Sequence, residues 1–264
     1  MSFKKDSVQG TILVALAISL VCSVVVSVAA IKLKPVQELN KALDRKKNIL
    51  MAAGLYEGDK TDVAKVFSDL IRSKLVDLKS GNYVEGGPDP EEYDQYKEAK
   101  NPKTAIELSD DQDVAGIRRI APYAVVYEVI KDGGLDQVVL PVHGKGLWST
   151  LYGYIAVSAD TNTIKGLGFY EHGETPGLGG EVDNPKWKAL WAGKKIKDAE
   201  GKLRIEVVKG AVDPAKGLGD HQIDGLSGAT ITGRGVSYLV QFWLGSSGFA
   251  VYLDNLKERG MKNG

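Results

Sequence analysis

The sequence predicts an α+β protein: a single N-terminal transmembrane helix, a helical preface, and then a sheet-containing domain. Three observations carry this. No charged residue occurs between Ser7 and Ile31. Apolar residues recur at helical spacing between Val36 and Ile71. From about residue 120 the texture changes to Val, Ile and Tyr runs divided by Gly-rich turns.

The first run is rich in Val, Leu, Ile and Ala, and it is framed by Lys4 and Lys5 before and Lys32 and Lys34 after. About 20 apolar residues cross a bilayer as a helix, so the run is long enough. A cleaved signal peptide is the rival, with small residues at Ser27-Val28-Ala29-Ala30; an apolar core this long exceeds the usual ~7–15 residues and favours an anchor. Six Lys and Arg lie between Lys32 and Lys47, against two Lys before the span. Taken alone, that count favours a cytoplasmic body, although large domains translocate despite such charges.

After the anchor, Val36, Leu39, Leu43, Leu50 and Met51 predict a connector helix ending near Gly54. Val63, Val66, Phe67, Leu70 and Ile71 follow the i, i+3, i+4, i+7, i+8 pattern behind a Thr61-Asp62 cap, which predicts a second helix. Residues 80–103 are polar and predict a surface excursion with one helical stretch between Asp89 and Lys100. Residues 124–130 and 137–142 predict a hairpin turned at Lys131-Asp132-Gly133-Gly134. Further strands are expected at 151–157, 164–170 and 203–208, a short helix at 185–191, and a helix through Val236, Leu239, Val240, Trp243 and Leu244. The sheet is expected to be antiparallel or mixed.

Composition narrows the function. The 34 Lys+Arg balance 34 Asp+Glu, which argues against a nucleic-acid binder. A single cysteine, Cys22 in the anchor, excludes an internal disulfide framework and any Cys-cluster metal site. Glycine is in excess: 31 of 264 is about 12%, against a usual ~7%. Eighteen of the 31 lie in the windows 144–180 and 210–248, an excess that should mark turns or close approach of backbone to something.

Three segments combine glycine with polar residues that strands do not need: 143–149, 171–180 and 224–230. They contain no phosphate loop, no G-x-G-x-x-G opening a helix, and no nucleophile elbow. His172-Gly173-Glu174 matches the H-x-E of zinc deaminases, but their P-C-x-x-C is missing. A site built from His143, His172 and His221 lacks metal-ligand spacing. The third segment places Ser227 and Thr230 beside Gly228 and Ala229, just before the last predicted helix. Backbone N–H groups at such an end favour a phosphate. The simpler reading is that Ser227, Thr230 or Thr232 caps the helix.

Asp224-Gly225-Leu226-Ser227-Gly228-Ala229-Thr230 resembles the D-G-x-[ST]-G-A-T flavinylation motif of the FMN-binding domain family. His172-x-Glu174-Thr175-Pro176-Gly177-Leu178-Gly179 resembles that family's other signature. With the anchor, the chain resembles the C subunit of the Na+-translocating NADH:quinone reductases. The G subunit of the related Rnf ferredoxin:NAD+ reductase is the alternative, and a cofactor-free, membrane-anchored assembly module is the alternative from a different class.

The resemblance implies one FMN joined covalently to Thr230 by a flavin transferase that uses FAD, and a one-electron carrier relaying electrons toward quinone. It also implies the other reductase subunits and the lipid bilayer as partners, and a single-pass protein of the bacterial inner membrane whose soluble body faces the periplasm, against the charge count. The expected organisation is a cytoplasmic tail and anchor (1–33), a helical preface and polar insert (34–109), an FMN-binding domain (110–255) and a C-terminal tail (256–264). Flavin contacts are expected from Trp148, His172, Glu174, Thr175, Gly177 and Leu178, with Asp224, Ser227, Gly228 and Ala229 around the linkage. Trp148 is otherwise a core aromatic, Glu174 an exposed loop carboxylate, and Asp224 a turn former. Arg234 either pairs with the phosphate or is a solvated helix charge.

Overall fold

The computed structural model describes residues 7–263. Lys4 and Lys5, expected to frame the span, lie outside the described residues, as does Gly264. The chain divides into two units, one up to Arg45 and one from Lys46 onward.

Helix α1 runs without interruption from Val8 to Ala52, so the anchor and the predicted connector helix are one element. At about 1.5 Å per residue it far exceeds a ~30 Å hydrocarbon core. Its apolar stretch is exposed throughout, as a lipid-facing surface would be. Pro35 lies inside it and withholds one backbone N–H from the ladder. The helix stops at Gly54, where φ is +67°.

In the second unit, α2 (Val63–Leu70) is capped by Asp62, whose carboxylate accepts from Lys65 N at 3.1 Å. Ile71, expected to extend this helix, instead opens strand β1 (Ile71–Asp77). The strand escapes the sequence pattern because Arg72 and Lys74 interrupt its apolar residues. Such charges are typical of an edge strand. Of the stretch 89–100, only Gln95–Glu98 forms a helix, α3. A small ribbon pairs β2 (Ile106–Glu107) with β3 (Arg119–Ile120).

Strands β4 (Tyr123–Lys131), β5 (Gly134–Lys145), β6 (Thr150–Ser158) and β7 (Ile164–Glu171) form an antiparallel meander. With β1 beside β4, the sheet has the order β1-β4-β5-β6-β7. The predicted hairpin turns at Asp132 (φ +52°) and Gly133 (φ +78°), the positive pair that a two-residue turn demands. Both faces of the sheet are covered, so the central strands read as continuous apolar runs. Val138, Leu140 and Val142 enter one core; Val139, Val125 and Tyr127 enter the other, with Ile49, Leu50 and Phe67.

A short helix, α4, spans Pro185–Ala189. The strand expected at 203–208 shrinks to β8 (Glu206–Val207), which pairs in parallel with β9 (Gln222–Ile223). Helix α5 (Thr230–Leu244) lays Val236, Leu239, Val240 and Trp243 on the first core. Helix α6 (Ala250–Asn263) runs through the boundary expected at residue 255 and buries Leu253 and Leu256, so 256–263 is helix rather than tail.

The candidate flavin site

The three Gly-rich segments meet at one end of the sheet. Residues 146–149 form the β5–β6 turn, closed by Gly146 N donating to Ser149 O at 2.8 Å. His143, Gly144 and Lys145, expected in that loop, belong to β5 instead. Residues 172–180 leave the end of β7, and residues 224–229 lead into α5.

Glu174 stands where the three converge. It is only 5% exposed, which rules out the exposed-carboxylate reading. Its carboxylate accepts from the backbone N–H groups of Leu147 (3.2 Å), Trp148 (2.9 Å) and Ser149 (3.0 Å), and from the Thr232 hydroxyl (2.6 Å). Burial alone would raise the Glu174 pKa; the Thr232 and backbone donors outweigh it and hold the carboxyl below its ordinary range. His172 accepts from Glu174 N through Nδ1 and bonds Asp183 through Nε2 at 2.8 Å, fixing the start of the same loop. The carbonyl of Thr175 accepts from Gly180 N and Leu178 N, and Gly177 takes φ +74° in the turn between.

Helix α5 begins without a side-chain cap. Its N-cap is Ala229, which has no side-chain acceptor, and Thr232 is turned inward to Glu174. The capping explanation of the motif therefore fails, and the first turn of α5 keeps its outward N–H groups. Ser227, Gly228 and Thr230 are exposed, while Ala229 is buried beneath them. Gly228 has φ +69° and lies against Leu178, so the second and third segments touch beside Thr230. Asp224 is occupied structurally: its carboxylate accepts from Val212 N at 2.7 Å and its carbonyl from Trp187 Nε1 at 2.8 Å.

Two surfaces flank Thr230. One is apolar, with Leu147, Trp148, Leu178 and Ile231 exposed, and Trp148 is 71% accessible rather than a core aromatic. An indole this open is an unusual surface feature in a folded domain. The other is a cleft of about 390 Å³ between β8 and α5, bordered by Lys209, Thr230, Arg234 and Tyr238. Among the described residues, neither Lys209 nor Arg234 has an ion-pair partner. Thirteen of the eighteen glycines in these windows would put a Cβ against the chain's own atoms, seven of them against backbone first: a Cβ on Gly235 would lie 2.3 Å from the Lys145 carbonyl oxygen. The surplus thus serves chain packing more than cofactor clearance. Among the described residues no cluster of His, Cys, Asp and Glu is placed to hold a metal ion.

Residues 146–245, which contain all three loops, match the FMN-binding domain family. The C subunit of the Na(+)-translocating NADH-quinone reductase of Pseudomonas aeruginosa is 50% identical over 256 residues, covering 96% of this chain and 98% of the relative. The chain belongs to the C-subunit family of these reductases. The Neisseria meningitidis serogroup A member is 44% identical over 259 residues, 98% of each chain. Among solved structures, NqrC of Shewanella oneidensis aligns with a TM-score of 0.76 at 39% identity, covering 83% of this chain and 99% of that one. Membership makes the chain an FMN-binding subunit of a multi-subunit oxidoreductase, and α1 is consistent with a single-pass anchor in such a complex. Full-length identity to these relatives favours this complex over the Rnf type.

Sequence reasoning missed the Thr232–Glu174 contact. A signal was present: Thr232 lies four residues before Val236, on the apolar stripe of α5. A hydroxyl on a buried face requires a partner.

Proposed function

We propose that this protein carries one FMN as a phosphoester on Thr230 and relays single electrons through the membrane reductase toward quinone. The observation that carries this reading is the exposed Thr230 at the uncapped start of α5, beside exposed Trp148 and Leu178. The residues fit the cofactor. The N–H groups of the first turn, with Lys209 and Arg234 in the adjoining cleft, would hold the phosphate. Leu147, Trp148 and Leu178 offer the apolar surface that a planar ring covers. Gly177, Ser227 and the Thr175 backbone would shape the approach, and Asp224 ties Val212 to the turn that leads to Thr230.

When bound, the flavin supplies acceptance and release of single electrons. Thr230 would hold the cofactor by its phosphate and leave the ring for the apolar surface and the partner subunits. A flavin transferase acting on FAD would join the Thr230 oxygen to the FMN phosphorus and release AMP, with the hydroxyl proton leaving to the AMP phosphate or to solvent. Supported by its apolar run, α1 anchors the chain in the bacterial inner membrane, and the second unit faces the periplasm. Sodium translocation belongs to the assembled complex.

Intact-mass measurement of the full chain from cells containing the transferase tests the linkage. The expected gain is one FMN less one water, absent in Thr230→Val. An unmodified wild-type mass would overturn the reading in favour of a cofactor-free assembly module. Protease added to intact spheroplasts tests the topology; complete protection of the body would place it in the cytoplasm instead.

A further inference from the structure

The Glu174 carboxylate is the point on which the three loops close, and two glycines of the Gly-rich segments make room for it. A Cβ on Gly146 would lie 2.6 Å from Glu174 Oε1. A Cβ on Gly179 would lie 2.6 Å from Thr232 Oγ1 and 2.8 Å from Glu174 Oε2. With the N–H groups of residues 147–149 and the Thr232 hydroxyl already donating, both oxygens are engaged by the chain itself. This carboxylate is therefore built to bind protein, although it sits in a flavin-family signature. Thr232 lies two residues beyond Thr230 on α5, so the contact ties the helix bearing the linkage to both loops bearing the apolar surface.

We propose that Glu174 and Thr232 are positioning residues: a strut that sets the ring's seat relative to Thr230 and keeps a fixed negative charge beneath that seat. The inference rests on the reading that Thr230 carries FMN. The strut has two separable consequences. Thr232 acts by geometry, because its hydroxyl bridges α5 to the carboxylate. Glu174 acts by geometry and charge, because an ionised carboxylate opposes the gain of negative charge nearby. Five donors, the Ser149 hydroxyl at 3.4 Å included, favour that ionised form.

The test uses the full-length chain, produced with the transferase, as wild type and as Thr232→Val, Thr232→Ser and Glu174→Gln. Intact mass first reports flavin loading; a wild type without flavin would sink the reading of Thr230 and leave the strut to the second measurement. In loaded protein held at a fixed redox poise, Glu174→Gln is expected to raise the ratio of reduced to oxidised flavin by roughly tenfold. The second measurement needs no cofactor. In a Thr230→Val background, adding Thr232→Val should speed hydrogen exchange at the Trp148 and Ser149 amides at least tenfold, while adding Thr232→Ser should leave them protected. Unchanged amide protection in the Thr232→Val protein would overturn the strut. An unshifted redox ratio in Glu174→Gln would overturn the charge role. Should Glu174→Gln fail to fold, loaded Thr232→Val and Thr232→Ser decide instead: altered flavin fluorescence in the first and wild-type fluorescence in the second support the proposal, and identical fluorescence in both overturns it.

Discussion

Gly235 meets Lys145 backbone to backbone: a Cβ at 235 would stand 2.3 Å from the Lys145 carbonyl oxygen and 3.1 Å from the Gly146 Cα. This contact seats α5 on the end of β5 and so sets Thr230 beside the 146–149 turn. Alanine in a helix interior normally gains up to ~1 kcal/mol over glycine, but here the clash is with backbone and cannot relax cheaply. Gly235→Ala should cost about 1–3 kcal/mol. A lower urea midpoint together with reduced FMN loading is the expected result; a raised midpoint would show that α5 can shift freely.

Trp148 is 71% exposed, so its removal should hardly affect folding. Trp148→Ala is expected to change stability by no more than ~0.5 kcal/mol. The same change should raise the fluorescence of the FMN-loaded protein, because a stacked indole quenches flavin emission. Unaltered emission would detach Trp148 from the ring's seat.

The depressed pKa of Glu174 predicts an acid-sensitive contribution to stability. Its folded-state pKa lies below the ordinary 4.5, so the unfolded chain binds the proton more readily. The stabilisation is full above about pH 4.5 and is lost as pH falls through the folded value. Urea titrations of wild type and Glu174→Gln should therefore diverge at neutral pH and converge in acid. A constant difference from neutral pH down into the acid range would contradict the assignment.

His143 makes a second, separate contribution. It is buried against Tyr96 of α3, Tyr152 of β6 and Trp243 of α5, stacked on Tyr152 at 9° with ring centres 5.6 Å apart. Burial pushes its pKa down from 6.5 to about 4. The unfolded state takes the proton first, so stability should fall as pH drops from about 6.5 to about 4. A difference of that size between the folded and unfolded chain corresponds to roughly 3 kcal/mol. His143→Phe keeps the stacking and should flatten the stability curve across this window; an unchanged slope would assign the acid sensitivity elsewhere.

Much of this architecture is legible in the sequence. The charge-free run announces the lipid-facing part of α1, the Asp132-Gly133 pair announces its hairpin, and the stripe from Val236 to Leu244 announces α5. These are local signals, in which neighbours along the chain impose the conformation. Strand β1 is hidden because an edge strand carries charges at Arg72 and Lys74, and because Ile71 also completes a helical pattern. The second half of helix α6 reads as a tail from residue 256, since its burial of Leu256 depends on elements far away in the chain.

The site divides along the same line. Sequence alone determined the local groups: a hydroxyl amid small residues at Ser227–Thr230, before a helix, in a chain whose family binds FMN. Local composition sets which groups are small, nucleophilic or conformationally free, so that much is written in consecutive letters. Only the tertiary structure decided which polar groups face outward. Trp148 proved exposed, and Glu174 proved buried and bound to Thr232, 58 residues along the chain. A carboxylate's role depends on which donors reach it once the chain has closed, and those donors come from the 146–149 turn and from α5, which meet only when α5 settles on β5.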